Sequence, residues 1–159
     1  MTKIQYIKGD CLDVPPNKNI IIPHVCNCDG GWGAGFVLAI SKKWKQPEQL
    51  YRKWYKDCKG RSLPLGTTQT TTVQPNIAVV NMIAQTLGCR DGYDIPLRYD
   101  ALETCIRNIG KDILGYTDKW EIRAPKFGSA LAGGDWNTIE SMIVKYWCKK
   151  DIPVTICSL

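Results

Sequence analysis

Two runs of small residues are the features of this sequence best suited to chemistry. Cys28-Asp29-Gly30-Gly31-Trp32-Gly33-Ala34-Gly35 follows one apolar stretch, and Gly128-Ser129-Ala130-Leu131-Ala132-Gly133-Gly134 follows another. A segment of helical periodicity comes after each. Backbone N–H groups at a strand-to-helix turn lack intrahelical acceptors, and the helix adds partial positive charge, so such turns suit anions. Glycine removes the Cβ that would hold a phosphate away from the backbone. Either run alone is explained as a tight turn, whereas two of the same topology on one sheet edge read as a cradle gripping a diphosphate from both sides. Polar side chains beside them are few. His24, the only histidine, and Asp29 are the candidates for acid–base work. His24 fits either that role or a hydrogen-bonded structural histidine on a buried strand. Asp29 fits a general base, a water-orienting group or a turn aspartate, and Asp135 is read as part of a helix cap.

Known phosphate motifs are absent. There is no Gly-x-x-x-x-Gly-Lys-Ser/Thr, and Phe36 occupies the place where Gly-x-Gly-x-x-Gly needs its last glycine. No cysteine is followed six residues later by arginine, no Asp-x-Asp pair occurs, and one histidine cannot build a two-metal phosphoesterase site. The eight cysteines are scattered, and Cys26-Asn27-Cys28 lacks the Cys-x-x-Cys spacing of zinc or redox sites. They read as small buried hydrophobes in a reducing compartment. Neither metal nor cofactor is expected.

The loops need strands and helices to place them. Lys3 to Ile7 alternates as a strand and stops at Gly9-Asp10. Asn19 to Cys26 reads as a buried strand whose ladder Pro23 disturbs. Phe36, Val37, Ile40 and Trp44 recur at helical spacing, and Pro47 opens a second helix with Tyr51, Trp54, Tyr55 and Cys58 inward. Gly66 to Val73 and Asn76 to Ile83 read as strands joined by a turn at Gln74-Pro75-Asn76. Gln85 to Pro96 reads as a long polar loop. Leu102 to Ile113 reads as a helix, Trp120 to Ala124 as a strand, and Trp136 to Trp147 as the last helix, with Asn137 and Glu140 as its capping box. Ile152 to Cys157 closes the chain as a strand. This alternation predicts a single mixed α/β domain over residues 1–159, its central sheet covered on both faces.

Composition narrows the function further. Apolar residues make up 44% and charged residues 23% of the 159, which is ordinary for a globular domain and excludes a disordered chain. No apolar run approaches a membrane helix, and the N-terminus lacks the apolar stretch of a signal peptide, so a soluble, cytoplasmic protein is expected. The net charge of +6 favours anionic partners. Its basic residues concentrate between Lys42 and Arg61 on outward helix faces, which reads as a solvated surface rather than a nucleic-acid groove.

Taken together, these residues resemble the macro domain, an ADP-ribose-binding family, over nearly the whole chain. Gly9-Asp10 is similar to the family's opening motif, and His24-Val25-Cys26-Asn27-Cys28-Asp29 with Trp32-Gly33-Ala34-Gly35 to its first loop. Phe127 to Trp136 resembles its second loop. Asn81-Met82-Ile83-Ala84-Gln85 with Arg98 to Glu103 resembles phage and bacterial members of the branch of ADP-ribose 1″-phosphate phosphatases. The resemblance implies a three-layer α/β/α fold with a central mixed sheet, and hydrolysis of ADP-ribose 1″-phosphate to ADP-ribose and phosphate.

It also implies site roles. Gly9 and Asp10 would meet the adenine. Asn27 would lie near the distal ribose, and Trp32, Gly33, Ala34, Gly35 and Phe36 would form the wall around that ribose and its phosphate. Gly128, Ser129, Ala130, Leu131, Ala132 and Gly133 would wrap the diphosphate, and Phe127 would pack against a ligand ring or in the core. His24 and Asp29 would carry catalysis. Gln85 and Ala132 stand where a related branch has its lysine nucleophile and assisting aspartate, so that lysine route is not expected here. Two alternatives stay open: a non-catalytic module for ADP-ribose or another NAD-derived nucleotide, and a hydrolase of another mechanism removing ADP-ribose from modified proteins.

Overall fold

In the computed structural model all 159 residues, Met1–Leu159, are described. The elements in chain order are β1 (Gln5–Lys8), β2 (Asn19–Asn27), α1 (Phe36–Lys43), α2 (Gln46–Asp57), β3 (Thr68–Gln74), β4 (Ile77–Gln85), α3 (Tyr99–Leu114), β5 (Trp120–Ala124), α4 (Trp136–Tyr146) and β6 (Val154–Ser158). Each matches a segment expected from the sequence, with ends displaced by no more than three residues.

The six strands form one sheet in the order β1-β6-β5-β2-β4-β3. All neighbours are parallel except β3, which pairs antiparallel with β4 through the expected turn. Alternate residues of β2 and β4 face opposite sides. Ile20, Ile22, Val79 and Ile83 pack with Ile40, Tyr51 and Trp44 beneath α1 and α2. Ile21, Val80, Met82 and Ala84 pack with Leu102, Ile106, Ile139 and Trp147 beneath α3 and α4. Helices thus cover both faces, which is why the central strands read as continuous apolar runs. No helix is long and apolar enough to cross a membrane.

Pro23 decides where the sheet opens. Ile20 N–H donates to Asn76 O on the β4 side, so by alternation the Pro23 nitrogen faces β5. Pairing of β2 with β5 runs only from Asn19 to Ile21, while pairing with β4 continues through Pro23 to the end of the strand. The next rung toward β5 would need a Pro23 N–H, which proline lacks. Beyond Ile21 the two strands part, and each feeds a small-residue loop.

One local expectation is corrected. The N-cap of α4 is Asp135, whose carboxylate accepts from Thr138 N at 3.2 Å and Thr138 Oγ1 at 2.9 Å. Asn137 and Glu140 therefore form no capping box. Glu140 instead accepts from the Tyr6 hydroxyl of β1.

Candidate functional site

Between the parted ends of β2 and β5 lies a cavity of about 440 Å³. This is the carboxyl edge of the parallel strands, where open α/β sheets bind ligands. The first loop contributes Asn27, Gly33, Ala34, Gly35 and Phe36 to its wall, and the second contributes Phe127, Gly128, Ala130, Leu131 and Ala132. Leu87, Gly88 and Pro96, from the segment after β4, close one end, while Pro125 and Lys126 stand at the β5 side.

Both loops present backbone donors without protein acceptors. None of the N–H groups of Trp32, Gly33, Ala34, Gly35, Phe36 and Val37 makes an internal hydrogen bond, nor do those of Gly128, Ala130, Leu131 and Ala132. Other bonds fix the loops rigidly. Asn27 Oδ1 accepts from Asp29 N at 2.9 Å and Gly31 N at 3.0 Å, while Asn27 Nδ2 donates to Gly31 O at 2.8 Å. The Tyr51 hydroxyl donates to Asn27 O at 2.6 Å and accepts from Gly30 N at 3.1 Å. Gly134 N donates to Gly128 O at 2.8 Å, closing the second loop on itself. Two opposed rows of fixed, unpartnered amides in an apolar cleft favour an anion, because the donors are oriented before the ligand arrives.

Several expected residues sit elsewhere. Trp32 is buried behind the first loop, its Nε1 donating to Ser41 Oγ at 2.6 Å, which in turn donates to Glu48 Oε1 at 2.7 Å. It backs the loop and is not part of the wall. Ser129 and Gly133 are spent within the second loop: Ser129 Oγ donates to Lys126 O at 2.6 Å and Gly133 N to Ala130 O at 3.0 Å. Gly9 and Asp10 lie outside the wall but at the same sheet edge, after β1. Asp10 is exposed, one of its oxygens accepting from Leu12 N at 2.9 Å, and Arg123 holds its backbone carbonyl from beneath. Phe127 is buried edge-on to Trp136 and Trp147 and also lines the cavity, so it serves the core and the wall together.

The two acid–base candidates separate. Asp29 is not on the wall. Its Oδ1 accepts from Ser62 Oγ at 2.8 Å and pairs with Arg90 Nη2 at 3.1 Å, and its Oδ2 accepts from Leu87 N at 2.9 Å. Burial pushes this carboxyl up, but those donors outweigh burial and hold it below the usual range. A carboxylate so occupied, and absent from the cavity wall, is not placed to take a proton there.

His24 does line the cavity, wholly buried between Trp32 and Phe36. Asn81 Nδ2 donates to Pro47 O at 3.4 Å and Gln69 Oε1 at 3.1 Å, which leaves Asn81 Oδ1 as acceptor for His24 Nε2–H at 2.5 Å. That fixes the neutral tautomer with its lone pair on Nδ1. Burial lowers the imidazole to about 4, the Asn81 bond opposing only in part.

Because the folded value lies below the ordinary 6.5, the unfolded chain binds more protons between them. Stability therefore falls as pH drops through 6.5 toward 4, by about 3 kcal/mol from this group. Denaturant unfolding at pH 7, 5.5 and 4.5 should show the slope, and His24→Gln, which keeps a donor for Asn81, should lose it. Equal slopes in both proteins would contradict the assignment.

No family model matches the chain. It is 26% identical over 148 residues to the ADP-ribose 1″-phosphate phosphatase of Candida albicans, covering 90% of this chain and 93% of that one. It superposes on a protein of unknown function from Bacteroides thetaiotaomicron with a TM-score of 0.91 and 38% identity over 99% of both chains. A macrodomain protein from Streptomyces coelicolor superposes with a TM-score of 0.82 and 35% identity, again over 99% of each chain. With 35% identity and a shared fold over 99% of each chain, this chain belongs to the macrodomain family.

Proposed function

We propose that the chain binds ADP-ribose and hydrolyses ADP-ribose 1″-phosphate to ADP-ribose and phosphate. The two rows of unpartnered amides carry this reading: both line one cleft, where they can donate to a diphosphate bridge. The phosphatase of Candida albicans, matched over nearly its full length, supports the reaction. Strand order supports one direction for the ligand. Asp10 follows β1, at one side of the sheet edge, and would accept from the purine amino group. The distal ribose would then lie toward β4, beside Asn27, one of whose Nδ2 hydrogens is free.

In the reaction a water oxygen bonds to phosphorus as the bond from phosphorus to the 1″ oxygen breaks. One water proton ends on the 1″ hydroxyl and the other stays on the released phosphate. Such transfers depend mainly on positioning and on stabilising the charge of the transferred group. Amide donors of the first loop supply the stabilisation. His24 would orient the water through Nδ1, its low proton affinity making it an acceptor rather than a base charged at neutral pH. The residues Asn27, Gly33, Ala34, Gly35, Phe36, Phe127, Gly128, Ala130, Leu131 and Ala132 form the binding wall. Eight unpaired cysteines fit a reducing cytoplasm.

Incubation with ADP-ribose 1″-phosphate should release inorganic phosphate, and calorimetry should show ADP-ribose bound in a 1:1 ratio. Binding without phosphate release would leave the non-catalytic module, a reading favoured by the lack of any carboxylate on the cavity wall. The exposed leucines at its mouth, Leu87 and Leu131, leave room for an ADP-ribosylated protein as ligand in that case.

A further inference from the structure

The cluster around Asp29 joins three segments far apart in sequence: the first loop, the turn before β3 through Ser62, and the segment 86–97 through Leu87 and Arg90. Arg90 Nη2 lies 3.1 Å from Asp29 Oδ1 and 3.3 Å from Ser62 Oγ. Its Nε pairs with Asp91 Oδ2 at 3.4 Å, and Arg98 Nη2 meets the same carboxylate oxygen at 3.4 Å. Arg98 also donates to Arg90 O at 3.3 Å and stacks on the Tyr93 ring at 3.7 Å. Four alternating charges, Asp29, Arg90, Asp91 and Arg98, thus run along the segment. At its start, Leu87 reaches over the first loop, where a Cβ on Gly31 would lie 3.1 Å from Leu87 Cδ1. Leu87 and Gly88 wall the β4 end of the cavity.

We propose that the Asp29–Arg90 pair is a latch that positions Leu87 and Gly88 and thereby sets the size of group accepted at the 1″ position. The inference rests on reading the cavity as the ADP-ribose site, with the distal ribose toward β4. Closed, the latch leaves room for a hydroxyl or a phosphate. Released, it lets Leu87 swing from Gly31 and admits a bulky substituent. The pair is partly exposed, with Arg90 at 42% and Asp29 at 14% side-chain exposure, so each bond is weak singly and the strap opens at low cost. Asp29 and Arg90 act through the wall and touch no ligand.

The test compares ADP-ribose with NADH, which carries an uncharged dihydronicotinamide at the 1″ carbon. Calorimetry of both ligands is run on the wild type, Arg90→Ala, Arg90→Lys and Asp29→Ala. The wild type prefers ADP-ribose, and either alanine variant lowers that preference by about tenfold, the scale of one coupled contact pair. Arg90→Lys restores part of it. The two alanine variants change local charge in opposite directions, so a shared loss of discrimination is not a field effect. A preference unchanged in both, or a loss of both ligands in equal proportion, overturns the latch. If wild type and variants all fail to bind ADP-ribose, the functional reading fails instead. Thermal midpoints within a few degrees of the wild type show that the substitutions leave the fold intact.

Discussion

A Gly35→Val protein folds but binds ADP-ribose at least about 100-fold more weakly than the wild type. Gly35 has φ 81° and ψ −149°, a region open essentially to glycine alone. A side chain there forces the peptide before α1 to turn, and a Cβ would already stand 3.0 Å from Leu131 Cδ1 of the opposite loop. The turn redirects the neighbouring N–H groups that face the cleft. Hydrogen bonds to charged groups are worth about 1.5–3 kcal/mol each, so losing two removes 100-fold or more in affinity. Val37 and Ile40 keep α1 seated on the sheet, which is why the fold survives. Calorimetry with a parallel circular-dichroism melt checks both parts, and retained affinity in a folded variant would contradict the amide cradle.

The largest effect on stability is expected at Gly134→Ala. A Cβ on Gly134 would sit 2.6 Å from Gly128 O and 2.4 Å from Leu97 Cδ2. The leucine can shift, but the carbonyl is backbone and also accepts the Gly134 N–H that closes the second loop. Relief requires breaking that bond and moving Leu97, whose own N–H is tied to Ala132 O at 3.1 Å. Overpacking plus one lost hydrogen bond amounts to about 2–4 kcal/mol. A thermal scan should show a midpoint lowered by roughly 5–15 °C. Gly33→Ala is the control, since a Cβ there meets nothing within 4 Å and its melting should match the wild type.

Much of the fold was legible because its signals are local. Asn19–Asn27 carries the apolar run Ile20-Ile21-Ile22 with Val25 and Cys26 and becomes a strand buried on both faces, and Trp136, Ile139, Ile143 and Trp147 recur at helical spacing on one face of the last helix. Both loops were legible from composition, since few residues other than glycine and alanine serve at close-approach turns. The fate of individual polar side chains was not. Asp29 looked poised for catalysis, yet its partners Ser62, Leu87 and Arg90 lie 33, 58 and 61 residues away, and no short-range pattern reports such a meeting. Arg90 stood in a polar loop with nothing to mark it. Glu140 suited a capping box until the fold brought Tyr6 from the first strand to its carboxylate. Trp32 stood in a glycine-rich loop, and nothing local reported that its indole N–H would meet Ser41 on the following helix.

The proline in the second strand has a consequence for how a ligand arrives. The seam between β2 and β5 is held apart by covalent structure, since no rearrangement of Pro23 can supply the missing donor. A nucleotide therefore meets a groove that stands ready in the empty protein, and association needs no unzipping step. Entry is then governed by diffusion and by the attraction of a net-positive surface, so capture should speed up markedly as ionic strength is lowered.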